Sequence, residues 1–346
     1  MVSIKREGII LKPSKRKFES KGVFNPACIR RGKYVHMFYR AWDKNNRSTI
    51  GYCKLEGPLK VVERATKPIL FPEESYELNI EDPRIVCLNG TYYLTYIAYD
   101  GRNVRIAYAT SKDLKKFTKK GTISPEMSYS KADSLFSQCK QKLKDRYFLF
   151  SSYYEKGETK GSILWDKDAF LFPKKIKGKY ALVHRILPDI QVIYFKNFKE
   201  LTSLKYWEKY LKKLCDYILL ESKHWYETRN VGGGCPPIET DKGWLLIYHA
   251  VDDMDVGRTY RAGAALLDLH DPTKVIGHHH EPLFSPTEKW EKKGNVDNVV
   301  FPTGAVVFDK RLYIYYGAAD TRIGVVSVDL NELLDELTSP KQKWPR

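Results

Sequence analysis

Residues Ile80–Ile85 read Ile-Glu-Asp-Pro-Arg-Ile, two adjacent carboxylates set against a proline at the mouth of an apolar strand. Pro83 cannot donate to a sheet ladder and biases the residue before it towards an extended conformation. Asp82 is thereby held at a strand opening, where an acid can hand a proton to a ligand. The plain alternative is a solvated turn, because Asp before Pro is a common turn former. Basic and hydroxyl groups stand at the ends of other apolar runs: Arg40, Lys167, Arg185, His249 and Tyr260, with Asn25 and Asp320 beside them in type. Arg and Lys are charge-assisted donors suited to phosphate oxygens, and His or Tyr completes such a cradle. An acid facing that set offers proton donation at one point and anion binding at another.

For these residues to meet, the chain must repeat. Five stretches share one plan: a turn-like or Pro-containing opening, a strand, a tight Gly or charged turn, then an aromatic-rich strand ending in polar residues. They open at Asn25, Glu81, Ala169, Cys235 and Phe301, and their second strands run over Tyr34–Arg40, Tyr92–Asp100, Tyr180–Arg185, Trp244–His249 and Leu312–Asp320. Self-similarity at a spacing of about 55 to 90 residues is the mark of propeller blades. Each small antiparallel sheet must stack on its neighbours around an axis. The expectation is an all-β chain, a five-bladed β-propeller with an inserted helical segment, forming one unit over residues 1–346. An open β-sandwich with coincidental hairpins is the alternative. Inner strands converge on the axis, which brings the polar residues above into one central pocket.

Outer strands are expected over Thr49–Leu55, Val104–Ala109, Ala262–Leu267 and Ile323–Val328, and a closing helix over Asn331–Leu337 with an Asn cap. Two segments break the rhythm. Residues 126–161 carry a further strand-like run, Tyr147–Tyr154. Within 199–217, Leu204, Trp207, Leu211 and Leu214 recur at three and four, which is helical periodicity. That helix could be a lid, a dimer contact or plain packing on the rim, so a homo-oligomer is left open.

Composition narrows the class. The chain has 346 residues, enough for a sizeable core, and Lys and Arg outnumber Asp and Glu by 59 to 42, a formal charge of +17. Such a balance suits anionic company, yet the lysines are scattered and none of the recognised nucleic-acid motifs is present, so nucleic acid is not expected. Six well-separated cysteines without a CxxC give no disulfide framework. Residues 1–17 are broken by Lys5, Arg6, Glu7 and Lys12 and lack the apolar core of a signal peptide, and no run approaches the length of a membrane span. A cytoplasmic location is expected, with no membrane association. His278-His279-His280-Glu281 has metal-ligand chemistry, but consecutive side chains diverge in an extended segment; it reads as a solvated loop. Gly232-Gly233-Gly234 lacks the strand-to-helix setting of a nucleotide loop and reads as a place of close backbone approach at the axis.

Inverting glycosyl transfer needs one carboxylic acid to protonate the departing oxygen and a nucleophile on the opposite ring face. Water as nucleophile needs a second carboxylate to activate it; phosphate is already anionic and needs positive positioning instead. With that chemistry in view, the ordered motifs resemble glycoside hydrolase family 130, the mannoside phosphorylases and related mannosidases. The resemblance runs through Gly22–Ala27, Glu81–Ile85, Lys167–Pro173 with His184-Arg185, and Gly232–Pro237. It continues through Tyr248–Ala250, Tyr260–Gly263, Phe301–Gly304 and Tyr315–Asp320.

The resemblance implies a five-bladed propeller with Asp82 as the general acid, acting through a sugar hydroxyl. It implies phosphate binding by Lys167, Arg185, His249 and Tyr260, and sugar contacts by Asn25, Arg40, Phe301 and Asp320. Phosphate, as co-substrate, would attack a β-mannoside with inversion to give α-mannose 1-phosphate, with no metal and no other cofactor. Lys167 stands where many family phosphorylases have Arg, which keeps the charge but loses the bidentate fork. Asp166 and Asp168 could pair with Lys167 and blunt its role; Glu81 reads as a structural neighbour of Asp82 that could also bind sugar. The rival expectations are a β-mannoside hydrolase of the same fold and a non-catalytic glycan-binding propeller. The inserted segments are where acceptor choice is expected.

Overall fold

The protein is described here by a computed structural model covering residues 2–340 apart from 158, 255 and 256; residues 341–346 of the expected unit lie outside the described residues. Five antiparallel sheets form five blades. Blade one runs Gly22–Arg31, Tyr34–Trp42, Ser48–Glu56 and Lys60–Arg64, and blade two Asn79–Leu88, Thr91–Tyr99, Val104–Ser111 and Thr118–Thr122. Blade three comprises Lys167–Leu171, Tyr180–Arg185, Ile190–Phe195 and Ile218–Leu220. Blade five is Val300–Phe308, Arg311–Ala318 and Arg322–Asp329, and its outer strand is Lys5–Leu11 from the start of the chain. That N-terminal strand pairs with Arg322–Asp329 and closes the ring, removing an edge that would otherwise be open to pairing.

In blade four the expected opening strand over 235–239 is split. Asn230–Gly233 is innermost, and Ile238–Thr240 pairs further along the same long strand, Gly243–Met254, which in turn pairs with Gly257–Leu267. Cys235 and two prolines lie between the two short strands, and proline cannot contribute a ladder donor.

Successive blades pack through apolar faces. Val23, Met37, Tyr39, Tyr315 and Val325 form one such cluster, and Phe170, Val183, Trp244, Leu246 and Tyr248 another. Gly51 and Gly263 lie directly against the rings of Tyr39 and Tyr248, where a Cβ would collide with the ring. These aromatics fill the space between strands that alternation alone assigns to the core.

Three local expectations change. Tyr147–Tyr154 is not a strand but part of the helix Asp145–Lys156, preceded by the helix Tyr129–Phe136, which Ser128 caps by accepting from Lys131 N. Its aromatic content mimics a strand, but Tyr147 and Ser151, four apart, are its buried residues, and packing on Phe136 decides the conformation. The closing helix, Leu330–Thr338, is capped by Asp329, whose carboxylate accepts from Asn331 N and Glu332 N, so Asn331 lies inside the helix. His278 and His279 are buried rather than in a solvated loop; His278 ends the outer strand Val275–His278 of blade four. A buried polar cluster beneath that strand holds it, with His278 Nε2 2.9 Å from Glu227 Oε1 and 2.7 Å from the Tyr248 hydroxyl. The helix Leu204–Leu211 buries Trp207, Tyr210 and Leu211 while Leu204 stays exposed, which is rim packing.

Candidate active site

The inner strands of blades one, two and three each carry a bulge at the same level of the axis. Strand register slips between Phe24 and Ala27, between Glu81 and Arg84, and between Lys167 and Phe170. The residue released in each slip adopts a left-handed backbone: Asn25 at φ 49°, Asp82 at φ 50° and Asp168 at φ 54°. Asn and Asp tolerate this region better than other non-glycine residues, and a bulge re-aims a side chain that the strand would otherwise hold to one face. Three polar side chains are thereby set around one axis by the same device. A fourth slip, between Pro302 and Gly304, places Thr303 at the equivalent level of blade five.

Around Asp82 the groups are tightly linked. Asn25 Nδ2 donates to Asp82 Oδ1 at 2.8 Å, and Arg40 Nη1 lies 3.5 Å from the same oxygen. Both contacts fall on Oδ1, and Oδ2 takes no hydrogen bond from any described residue. Arg40 also pairs with Glu81 Oε1 at 2.6 Å and donates from Nε to Ser48 Oγ at 3.0 Å. Glu81 is thus held by Arg40. Asp320, at the turn after the second strand of blade five, faces the same arginine; burial pushes its carboxyl up to about 6, and Asp82 and Glu81 add to the rise while Arg40 opposes it.

Beneath Asp82 lies a residue that sequence reasoning passed over. Arg84 is fully buried and donates to four main-chain carbonyls, those of Asp82, Pro83, Gly233 and Gly234. It ties the bulge of blade two to the inner strand of blade four. An arginine one residue past a proline carries no sequence signal of this role; the glycines it binds are 150 residues away in the chain.

On the other side of the axis, Lys167 and Arg185 are cross-strand partners in blade three. Lys167 lies 4.7 Å over the ring of Trp165, and burial lowers its pKa against the pull of Glu81. The ion-pair partner of Asp168 is Arg185 and not the expected Lys167, which acts on it only through its nearby charge: Asp168 Oδ2 is 2.6 Å from Arg185 Nε and 3.8 Å from His249 Nε2. Burial works to raise the Asp168 carboxyl, but the charges of Arg185, Arg84 and Lys167 outweigh it and hold it below its ordinary value. Asp166 turns away and pairs with His184 Nδ1 at 2.9 Å. His249 packs against Phe301 in a tilted arrangement, 4.3 Å between ring centres, with Tyr260 6.1 Å from Phe301. Burial drives His249 down to about 3, so its ring is neutral across the physiological range.

The close-approach reading of the glycine triplet holds. A Cβ on Gly232 would lie 2.5 Å from His249 Nε2 and 2.6 Å from Asp168 Oδ2. All nine residues expected at the site therefore surround one axis, in two groups: Asn25, Arg40, Asp82 and Asp320 on one side, Lys167, Arg185, His249 and Tyr260 on the other, with Phe301 beside His249. The helical segment before blade three reaches the second group, where Tyr154, Trp165, Lys167 and Arg185 border a cavity of about 50 Å³. That holds a few waters and is far below the roughly 300–1,000 Å³ of a small-molecule site.

Away from the axis, His224, Glu227 and His278 set ligand-type atoms within 4.8 Å of one another. Glu227 spends its oxygens on hydrogen bonds, Oε2 accepting from Lys223 N and His224 N and Oε1 from Tyr248 and His278. The cluster braces blade four.

Comparison with known proteins identifies the family. Residues 11–339 match the family model described as beta-1,4-mannooligosaccharide phosphorylase, glycoside hydrolase family 130. The chain belongs to this family. A 1,2-beta-oligomannan phosphorylase of Thermoanaerobacter sp. (strain X514) is 35% identical over 347 residues, covering 96% of this chain and 99% of that protein. A beta-1,2-mannobiose phosphorylase of the same organism is 36% identical over 342 residues, covering 92% and 94%. The solved beta-1,2-mannobiose phosphorylase of Listeria innocua, in complex with beta-1,2-mannobiose, superposes with a TM-score of 0.71 at 24% identity, covering 97% of this chain and 99% of that one. That likeness shows the shared fold.

Proposed function

We propose that this family 130 protein is an inverting β-mannoside phosphorylase, an enzyme of the glycosyltransferase type that uses inorganic phosphate and releases α-mannose 1-phosphate reversibly. The observation that carries the reading is the division of the axis into an acid side and a cationic side. Asp82, with Oδ2 uncommitted, is the proton donor for the departing oxygen; Asn25, Arg40 and Asp320 hold the sugar ring, with Phe301 as its apolar contact. Lys167, Arg185, His249 and Tyr260 hold phosphate on the opposite face, as in-line displacement at the anomeric carbon requires.

A hydrolase needs a base on the phosphate side. The carboxylate found there, Asp168, is paired with Arg185 and held below its ordinary pKa, which makes it a poor base. Phosphate needs no such base, and the reading calls on no metal or organic cofactor. Two relatives matching nearly their whole length carry β-1,2 linkages in their names, which favours β-1,2-mannosides as substrates over the β-1,4 linkage of the family description. No described helix is long and apolar enough to cross a membrane, and the reading places the enzyme with phosphate and free oligosaccharide in the cytoplasm.

Initial rates on β-1,2- and β-1,4-mannobiose, with and without phosphate, test this reading. Turnover should be abolished when phosphate is omitted and fastest on the β-1,2 substrate. Equal rates without phosphate would overturn it.

A further inference from the structure

The cationic side of the axis contains a carboxylate that neither the expected ligand set nor the acid side accounts for. Asp168 is 5% exposed, sits on a bulge at φ 54°, and occupies in blade three the position that Asn25 and Asp82 occupy in blades one and two. An anion beside an anion-binding site weakens binding by charge alone, so its presence calls for a compensating role.

We propose that Asp168 is a positioning residue of the phosphate site, pairing with Arg185 at its Nε so that both terminal nitrogens face the ligand. This rests on the phosphorylase reading. The geometry of Arg185 is the main support. With Nε 2.6 Å from Asp168 Oδ2, an ion pair without an aligned hydrogen bond ties the guanidinium to the carboxylate on that side, and its two terminal nitrogens are left for a forked pair of bonds to two phosphate oxygens. Lys167 has no such fork to offer. The site therefore depends on the orientation of one arginine, and a fixed guanidinium loses less freedom on binding than a mobile one.

Gly232, the cross-strand partner of His249 in blade four, lies directly against both groups, where a Cβ would stand 2.6 Å from Asp168 Oδ2 and 2.5 Å from His249 Nε2.

The test compares phosphate and mannoside kinetics in the wild type, Asp168→Asn and Asp168→Glu. Asn keeps the shape and removes the charge; Glu keeps the charge and moves it by one methylene. A positioning role predicts that both variants raise the phosphate KM at least 10-fold while the mannoside KM stays within twofold. It also predicts that Asp168→Asn adds little in an Arg185→Lys background, because the two residues act as one unit. A carboxylate acting only through its charge gives the opposite sign, a lower phosphate KM in Asp168→Asn. That result, or an unchanged phosphate KM, overturns the proposal. If Asp168→Asn does not fold, Asp168→Glu decides alone by the same criterion. A wild type that turns over mannoside without phosphate, and binds no phosphate by calorimetry, overturns the underlying reading and this proposal together. A phosphate-dependent wild type with indifferent variants overturns this proposal only.

Discussion

Gly232→Ala adds one methyl group at the point where blade four meets the phosphate side of the axis. Gly232 does not have a left-handed backbone, so alanine fits its conformation and the perturbation is purely one of space. The new Cβ would stand 2.5 Å from His249 Nε2 and 2.6 Å from Asp168 Oδ2. Ordinary contact begins near 3.4 Å, so one or both groups must retreat by about 1 Å. His249 is backed by Phe301 at 4.3 Å between ring centres and cannot yield far. Asp168 yields instead, and Arg185, anchored to it, moves as well. Overpacking of this kind costs about 1–3 kcal/mol of stability. A misplacement of about 1 Å in a positioning group lowers rate by on the order of 100-fold. The assay is initial rate against phosphate at saturating mannoside, with a thermal melt to establish folding. A folded Gly232→Ala protein with phosphate kcat/KM within twofold of wild type would refute this account of the cradle.

Asp82→Asn should lower turnover by about 10²- to 10⁴-fold, the range for a lost general acid, while calorimetry shows mannoside still binding; a loss below tenfold would move the acid elsewhere. Asp320 is raised from 3.8 to about 6. The folded state therefore holds this proton where the unfolded state has released it, and stability from this carboxyl falls as pH rises from about 4 to about 6, by about 3 kcal/mol at most. Asp320→Asn should raise Tm at pH 7 and leave it unchanged near pH 4, while impairing mannoside binding; an equal gain at both pH values would contradict the burial argument. Arg84→Met leaves four carbonyls without their donor and should cost about 3 kcal/mol or more in a denaturant melt, with less than 1 kcal/mol counting against the brace.

The repeat, and the gathering of the candidate site residues around one axis, were legible in the chain for a physical reason. Asn25 and Asp82 are each followed by proline, which marks the bulge that turns their side chains to the axis. Asp168 sits on the same bulge but is followed by alanine, so nothing local distinguishes it from a carboxylate that pairs with its neighbour Lys167. Arg84 was missed because its partners are main-chain carbonyls of another blade, and backbone acceptors leave no trace in side-chain pattern. The helix Asp145–Lys156 was misread because six of its residues are aromatic or leucine and local propensity favours a strand; burial of Tyr147 and Ser151 on one helical face overrides it. His278 and His279 look solvated beside a third histidine and a glutamate. Their burial comes from Glu227, Tyr226 and Tyr248, none of which is near them in the chain.

The most direct test of the phosphorylase reading is to follow a β-1,2-mannobiose reaction in phosphate by NMR, resolving each anomer of the sugar products as they form. The account predicts α-mannose 1-phosphate appearing in step with the loss of inorganic phosphate and with one equivalent of free mannose from the reducing end. Two equivalents of free mannose with phosphate unconsumed would contradict it.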